Sequence, residues 1–282
     1  MSKLRSIHAR RLAWDFSESP KYWARSSAGI SHFLNVYTLL VPENEKYYIR
    51  TLNACRPMIK DERLLGALVD FCRQESLHGL AHRRHGDRLR DLGVHTDSLV
   101  SATNWFLYSI LEKLQPLRIR VSIVAAIEHI NATWAHAFLS LDLLEGSDAE
   151  VKTLFDWHFA EEIEHKAVAN EVLASVFPGY ATRLFGGLLA FPTFLILLAV
   201  GTLYLVLRDK DAGVYSSLRD LSRFLFCSGF SSVVGTGIKR YFARRFEPWD
   251  VEDSYLAERA ISGAIDTHEL LATPTSDVGQ AR

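Results

Sequence analysis

Residues 158–165 of the chain read HFAEEIEH. In an α-helix, positions three, four and seven apart share one face, so His158, Glu162 and His165 would project together. That face offers two imidazoles and one carboxylate, which are side chains that bind metal ions in proteins. A helix with such a face needs partners that complete the site. The segment therefore predicts a bundle of helices around a buried metal centre.

Three further segments supply matching side chains. The segment QESLH contains a second Glu-x-x-His pattern, formed by Glu75 and His78. Glu128 follows Val124 on the apolar face of another helical segment, where a solvated glutamate would be out of place. Glu45 is the partner that we expect on the first helix. Four helices would then contribute one cluster of carboxylates and imidazoles.

Helical periodicity dominates the first 177 residues, so we predict an all-α fold. Asp61 is the expected cap of the second long helix, and Ser147 with Glu150 resembles a capping box for the last. The predicted helices span residues 27–56, 61–92, 97–114, 117–145 and 148–176.

The order of these helices indicates a ferritin-like four-helix bundle. The sequence separation between Glu75 and Glu128 is longer than those between Glu45 and Glu75 or between Glu128 and Glu162. A bundle with one long crossover needs its long connection between the middle helices. The segment 97–114 would provide it.

The chain divides by composition into four predicted parts. They are an N-terminal segment (1–26), the di-metal bundle (27–177), a C-terminal apolar helical appendage (178–272) and a disordered tail (273–282). Residues 184–207 form an uncharged, almost wholly apolar run, which is long enough to cross a bilayer. A soluble helix packed on the bundle explains the run equally well, so attachment to a membrane stays open.

One Glu from each of two helices, with Glu-x-x-His from each of two others, is the ligand set of di-iron and di-manganese carboxylate bundles. Four buried carboxylates would repel one another without cations between them. Iron is the expected metal, with manganese and zinc as alternatives. The predicted metal ligands are Glu45, Glu75, His78, Glu128, His158, Glu162 and His165. We expect Glu128 and Glu75 to bridge the two metal ions, and Glu45 and Glu162 to be terminal ligands.

Four further polar residues lie close to the predicted ligands in the sequence. Glu161 is expected to support the ligands, whereas Glu164 is expected to be a solvated charge. His82 and His85 either support the ligands or belong to an exposed polar row.

Composition narrows the remaining possibilities. A formal charge of −1 gives no field that would attract nucleic acid, so none is expected as a partner. Three widely spaced cysteines fit neither a disulfide framework nor a thiolate zinc site. The N-terminus lacks the apolar core of a secretory signal. These features favour the cytoplasm, with attachment to the inner face of the membrane left open by the apolar run.

Several strings resemble a known family, among them VPENEKYYIRTLNACRPMIKDERLLGALVDFCRQESLHGLAHRRH, AAIEHINA, WHFAEEIEHKAV and RRFEPWD. They are similar to the bacterial family catalogued as predicted metal-dependent hydrolases, from about Trp14 to Trp249. The resemblance implies ferritin-like ligand positions, although Asn44 stands where the family usually has glycine. In addition, the arrangement of His158, Glu162 and His165 resembles that of di-iron N-oxygenases.

We expect an enzyme that uses a non-haem di-iron centre and dioxygen to oxidise a small organic molecule, for which an apolar substrate would suit the apolar run. An electron donor would then be a partner. The first alternative is a metal-dependent hydrolase with a two-metal-activated water. The second is a protein that handles iron without catalysis.

Overall fold

The structure is a computed structural model, and it describes residues 4–272. The predicted disordered tail, 273–282, lies outside the described residues. Within them the chain is all-α apart from two short strands, β1 (Arg11–Leu12) and β2 (Leu270–Leu271). The prediction of an all-α fold is therefore confirmed.

The helices are α1 (Ala28–Asn53), α2 (Glu62–Asp91), α3 (Asp97–Trp105), α4 (Glu112–Leu114), α5 (Leu117–Ser140), α6 (Ala149–His165), α7 (Val168–Val176), α8 (Tyr180–Arg208), α9 (Val214–Cys227), α10 (Phe230–Tyr241) and α11 (Ser254–Thr267). A π-helical turn (Phe106–Leu111) joins α3 to α4. Short 3-10 turns cover Arg56–Met58 and Pro248–Asp250.

Two helix pairs position the predicted ligands. Helix α1 packs along α2, and α5 packs along α6, while α1 also touches α5 and α2 also touches α6. The segment from α3 to α4 connects the two pairs. The hydrophobic core includes residues of these helices, of the N-terminal segment and of α8 to α11.

The helix ends differ from the predicted ones where local chemistry intervenes. Helix α1 ends at Asn53 rather than 56, because Pro57 lacks a backbone N–H and restricts the residue before it. Helix α5 ends at Ser140 rather than 145, next to Asp142, which has a φ of 45°. A non-glycine residue in that conformation cannot continue a right-handed helix.

The predicted helix 148–176 is wrong as a single element, because the chain breaks between α6 and α7. At the break, the Lys166 ammonium turns to the carboxylate of Asp253 at 2.5 Å. The cap at the start of α6 also differs from the prediction. The Asp148 carboxylate accepts from the N–H of Val151, whereas the Ser147 hydroxyl accepts from the N–H of Arg25. The Asp61 cap of α2 is confirmed.

The long apolar helix α8 lies along α5 and α1. It is the one helix in the described part of the chain that alone is long and apolar enough to cross a membrane, and 44% of its most apolar window is buried within the protein. Helices α9 and α10 pass the same test only as a pair bent by 56°. Core helices of soluble proteins share these properties, so membrane attachment stays a prediction.

The two short strands pair with each other, although they lie far apart in the sequence. Strand β1 pairs antiparallel with β2, with Arg11 opposite Leu271. This pairing holds the N-terminal segment near α6, and it brings Arg10 to the outer edge of the ligand cluster described below.

Candidate metal centre

The structure brings all seven predicted ligand residues together in the interior of the two helix pairs. Every one of these side chains is at most 3% exposed. They form two adjacent groups, and in each group the candidate ligand atoms lie within 4.8 Å of one another. One group contains Glu45, His78, His158 and Glu162, and the other contains Glu75, Glu128 and His165.

Three of the four carboxylates of this cluster lack hydrogen bonds to the described part of the chain. Both oxygens of Glu45, Glu75 and Glu128 are buried without a hydrogen bond to any residue from 4 to 272. Buried polar atoms are normally satisfied, and an ionised carboxylate left unpaired costs several kcal/mol. Coordination to metal ions would satisfy these oxygens, so the residues present fit a metal centre.

One imidazole nitrogen lies close to three carboxylate oxygens, which is more than it can donate hydrogen bonds to. The Nε2 atom of His165 lies 3.1 Å from Glu75 Oε1, 3.1 Å from Glu162 Oε2 and 3.4 Å from Glu128 Oε2. A single N–H donates one good hydrogen bond, and a neutral imidazole nitrogen can instead bind a cation. The crowding of three carboxylates on one nitrogen is an arrangement that a metal ion would relieve.

The pKa directions follow from burial and mutual repulsion. Burial and neighbouring carboxylates raise the pKa of Glu45 and Glu75 well above the ordinary value. Burial and Glu162 raise the pKa of Glu128 to about 7. Burial also acts to raise the pKa of Glu162, but His165 and other imidazole contacts lower it to about 2. Without metal the cluster therefore retains protons, which a bound cation would displace.

Glu162 faces both groups. Its Oε1 lies 2.9 Å from His158 Nε2, and its Oε2 lies 3.1 Å from His165 Nε2. This carboxylate therefore stands between the two groups, although the sequence led us to expect a terminal role for it. Glu75 and Glu128, the expected bridging residues, both lie in the group of His165.

The two Glu-x-x-His motifs support each other across the bundle. The residue before the first glutamate, Gln74, accepts a hydrogen bond from His165 Nδ1 at 2.9 Å. The residue before the second glutamate, Glu161, accepts one from His78 Nε2 at 3.0 Å. In each histidine, the other ring nitrogen remains for the cluster. Hydrogen bonds of this kind fix the orientation and tautomer of metal-binding histidines.

The third histidine of the cluster is held by a chain of side chains. His158 Nδ1 lies 2.7 Å from His82 Nε2, and His82 Nδ1 lies 3.1 Å from Thr38 Oγ1. Thr38 Oγ1 then lies 3.2 Å from His85 Nδ1. Donation from His158 Nδ1 toward His85 gives each of these three contacts one donor and one acceptor, and the lone pair of His158 Nε2 would then be available to a cation beside Glu162. His82 and His85 are thus buried supporting residues rather than an exposed row.

Arg10 contacts the acidic residues that lie outside the ligand cluster. Its guanidinium binds Glu161 Oε1 at 3.1 Å and both oxygens of Glu164 at 2.8 Å. The Glu164 carboxylate also accepts from the Gln74 amide at 2.9 Å. The side chain indole of Trp157 donates to Glu161 at 3.1 Å. The prediction that Glu164 is a solvated charge is therefore wrong, because it links Arg10 to Gln74.

Sequence reasoning missed Arg10 and Gln74. A signal for Gln74 was present, since QESLH and EEIEH both place a hydrogen-bonding residue directly before the motif glutamate. Arg10 had no comparable signal, because it reaches the cluster from a segment without regular secondary structure at that position.

The comparison with known proteins identifies the family. Residues 8–252 match the family model described as predicted metal-dependent hydrolase, so the chain belongs to this family. The match covers the four helices that carry the cluster, as well as Arg10. No curated protein and no solved structure matches the chain.

Proposed function

We propose that the seven side chains hold two metal ions inside a ferritin-like bundle. The observation that carries this proposal is the set of unsatisfied, buried oxygens on Glu45, Glu75 and Glu128 within the described residues. The pairing of α1 with α2 and of α5 with α6, and the connection through α3 and α4, support the ferritin-like description.

The donor atoms suit iron, manganese or zinc, since all are carboxylate oxygens or imidazole nitrogens. We assign Glu45, His78 and His158 to one ion, and Glu75, Glu128 and His165 to the other. Glu162 would contact both, because each of its oxygens faces one group.

The reaction that we propose is hydrolysis of a small organic ester or phosphate. The family description supports it. Two bound ions would lower the pKa of a water molecule and stabilise the oxygens of the reacting group.

The protein's own contribution is orientation and desolvation. Glu161, Gln74 and His82 hold the three imidazoles in place. Fixed ligands lose little free energy to reorganisation when charge develops on the substrate. Burial also strengthens each electrostatic contact that these residues make.

Oxidation with dioxygen is a second candidate, favoured by the apolar surroundings of the cluster. The His78 ring lies 4.9 Å from the Trp157 ring, and the His165 ring lies 4.8 Å from the Phe71 ring. A reduced iron pair would supply electrons to dioxygen, and water-poor walls protect reactive species from side reactions. An electron donor would then be required as a partner.

Reaction assays separate the two candidates. Protein loaded with zinc or manganese should hydrolyse 4-nitrophenyl acetate or 4-nitrophenyl phosphate at a rate that is independent of oxygen. Protein loaded with reduced iron should consume more oxygen than its bound iron accounts for, with an electron donor and an organic substrate present, only if the second candidate is correct. The His165→Ala variant, prepared identically, is the control for contaminating activity. Full metal loading without either reaction would contradict both candidates and favour iron handling.

We also propose a cytoplasmic location. The described chain contains three free cysteines, of which Cys55 and Cys72 are buried, and unpaired thiols are typical of a reducing compartment.

A further inference from the structure

An apolar cavity lies beside the cluster, where α8 crosses α1 and α5. Its volume is about 120 Å³. The walls come from Tyr48 of α1, Ile127 of α5 and Phe194 of α8, with Phe106 and Leu107 from the π-helical turn. Most of this surface is apolar carbon, which disfavours a charged or strongly hydrated ligand.

A narrow pocket of about 10 Å³ lies between this cavity and the candidate metal ligand Glu45. The two spaces share three wall residues, Asn44, Tyr48 and Phe194. The narrow pocket also touches Glu45 and Tyr37. Glu45 is a member of the cluster, and both of its oxygens lack a hydrogen bond to a described residue. The apolar cavity therefore points toward an unsatisfied end of the cluster.

The outer end of the cavity lies on one stripe of α8. Leu189, Thr193 and Leu197 line it at intervals of four residues, and all three are partly exposed. On the adjacent face, Leu188 and Ile196 are 57% and 60% exposed. An apolar molecule would thus meet apolar surface before it enters the cavity.

The π-helical turn forms the opposite wall. Such turns are rare and occur frequently at functional sites. Here the turn at Phe106–Leu111 directs Leu107 and Leu111 to the cavity. A regular helix through these positions would present its side chains in a different register.

We propose that this cavity binds the linear alkyl or acyl chain of the substrate, with the reacting group directed through the narrow pocket to Glu45. The inference deepens the proposed function, on which it rests. It adds the chemical class of the substrate and the side of the bundle through which the substrate enters.

The test uses the full-length, metal-loaded protein and the linear alcohols from 1-butanol to 1-octanol, which bind without a reaction. Isothermal titration calorimetry should show the dissociation constant falling about fourfold for each added methylene, as transfer of a buried CH₂ group predicts. Thr193→Trp fills the cavity and should weaken 1-octanol binding by at least about tenfold. Leu189→Trp provides a second blocked variant in case Thr193→Trp does not fold.

Ile196→Trp is the matched control, because it places the same side chain on the exposed face of the same helix. It should bind 1-octanol as the wild type does. Equal binding in the Thr193→Trp and wild-type proteins, or no dependence on chain length, would overturn the inference. Metal content is measured on the same samples. Full metal loading without alcohol binding refutes the cavity alone, whereas alcohol binding without metal refutes the proposed function.

Discussion

Glu161 on α6 accepts a hydrogen bond from His78 on α2, with 3.0 Å between the carboxylate oxygen and Nε2. Gln74 on α2 does the same for His165 on α6. Each Glu-x-x-His motif is therefore oriented by the residue that precedes the glutamate of the other motif. Metal-binding histidines depend on such partners for their tautomer and ring orientation. These two reciprocal hydrogen bonds therefore link α2 to α6 next to the cluster.

Loss of the Glu161 carboxylate should weaken metal binding. Glu161→Ala leaves His78 Nε2 without its partner, and changes of this type cost about 10-fold to 100-fold in metal affinity. Glu161→Gln keeps an oxygen acceptor and should lose less. Competition with a fluorescent chelator measures both values. Wild-type affinity in Glu161→Ala would show that this hydrogen bond does not support the site.

Arg10 should increase the affinity for metal indirectly, because it orients Glu161 and Glu164. Arg10→Met removes the contacts with Glu161 and Glu164, and we expect metal affinity to fall about 10-fold. Arg11→Met is the matched control, because the neighbouring guanidinium contacts the backbone oxygen of Ala272 at the surface. Equal affinities in the two variants would contradict the positioning role.

The hydroxyl of Thr38 should stabilise the fold through the histidine chain. Thr38→Val keeps the shape but leaves buried nitrogens of His82 and His85 without this partner, which costs about 1–3 kcal/mol per unsatisfied group. Urea unfolding measures the loss. Thr153→Val removes an exposed hydroxyl bonded within its own helix and should change stability much less. Similar losses in the two variants would refute the proposed chain.

The metal-free protein should lose stability as the pH rises from 7 to 8. Folding raises the pKa of Glu128 to about 7 and of Glu161 to about 8, from 4.5. A raised pKa stabilises the fold below the unfolded value, and this contribution is lost as the pH passes the folded value. Each group changes the free energy of unfolding by up to about 1.4 kcal/mol per pH unit.

The imidazoles with lowered pKa values oppose this trend only weakly above pH 7. Burial lowers the pKa of His78 and His82 well below the ordinary value of 6.5, so both are neutral in the folded protein, and each is mostly neutral in the unfolded chain above pH 7. Thermal unfolding across this range, with and without a chelator, gives the measurement. A metal-free protein whose stability rises with pH in this window would contradict the buried, protonated carboxylates.

The sequence predicted the faces of the helices well, because the spacing within one helix fixes which side chains share a direction. It therefore brought His158, Glu162 and His165 together correctly. It could not predict contacts that depend on how two helices cross. The hydrogen bonds from His165 to Gln74 and from His78 to Glu161 are contacts of this kind.

Other differences arise from interactions distant in sequence. The break after His165 accompanies the contact of Lys166 with Asp253, which lies in a distant segment. The placement of Glu162 between the two groups depends on the direction of its terminal torsion, which helical periodicity does not determine. The sequence identified this residue as a ligand candidate but assigned it the terminal role.

Metal content tests the central claim most directly. The full-length protein should be purified without oxygen, with iron, manganese and zinc supplied, and analysed by mass spectrometry of the elements and X-ray absorption at each metal edge. We predict two ions per chain in oxygen and nitrogen coordination, and loss of both in Glu162→Ala. A well-folded protein that contains none of these metals would contradict the account.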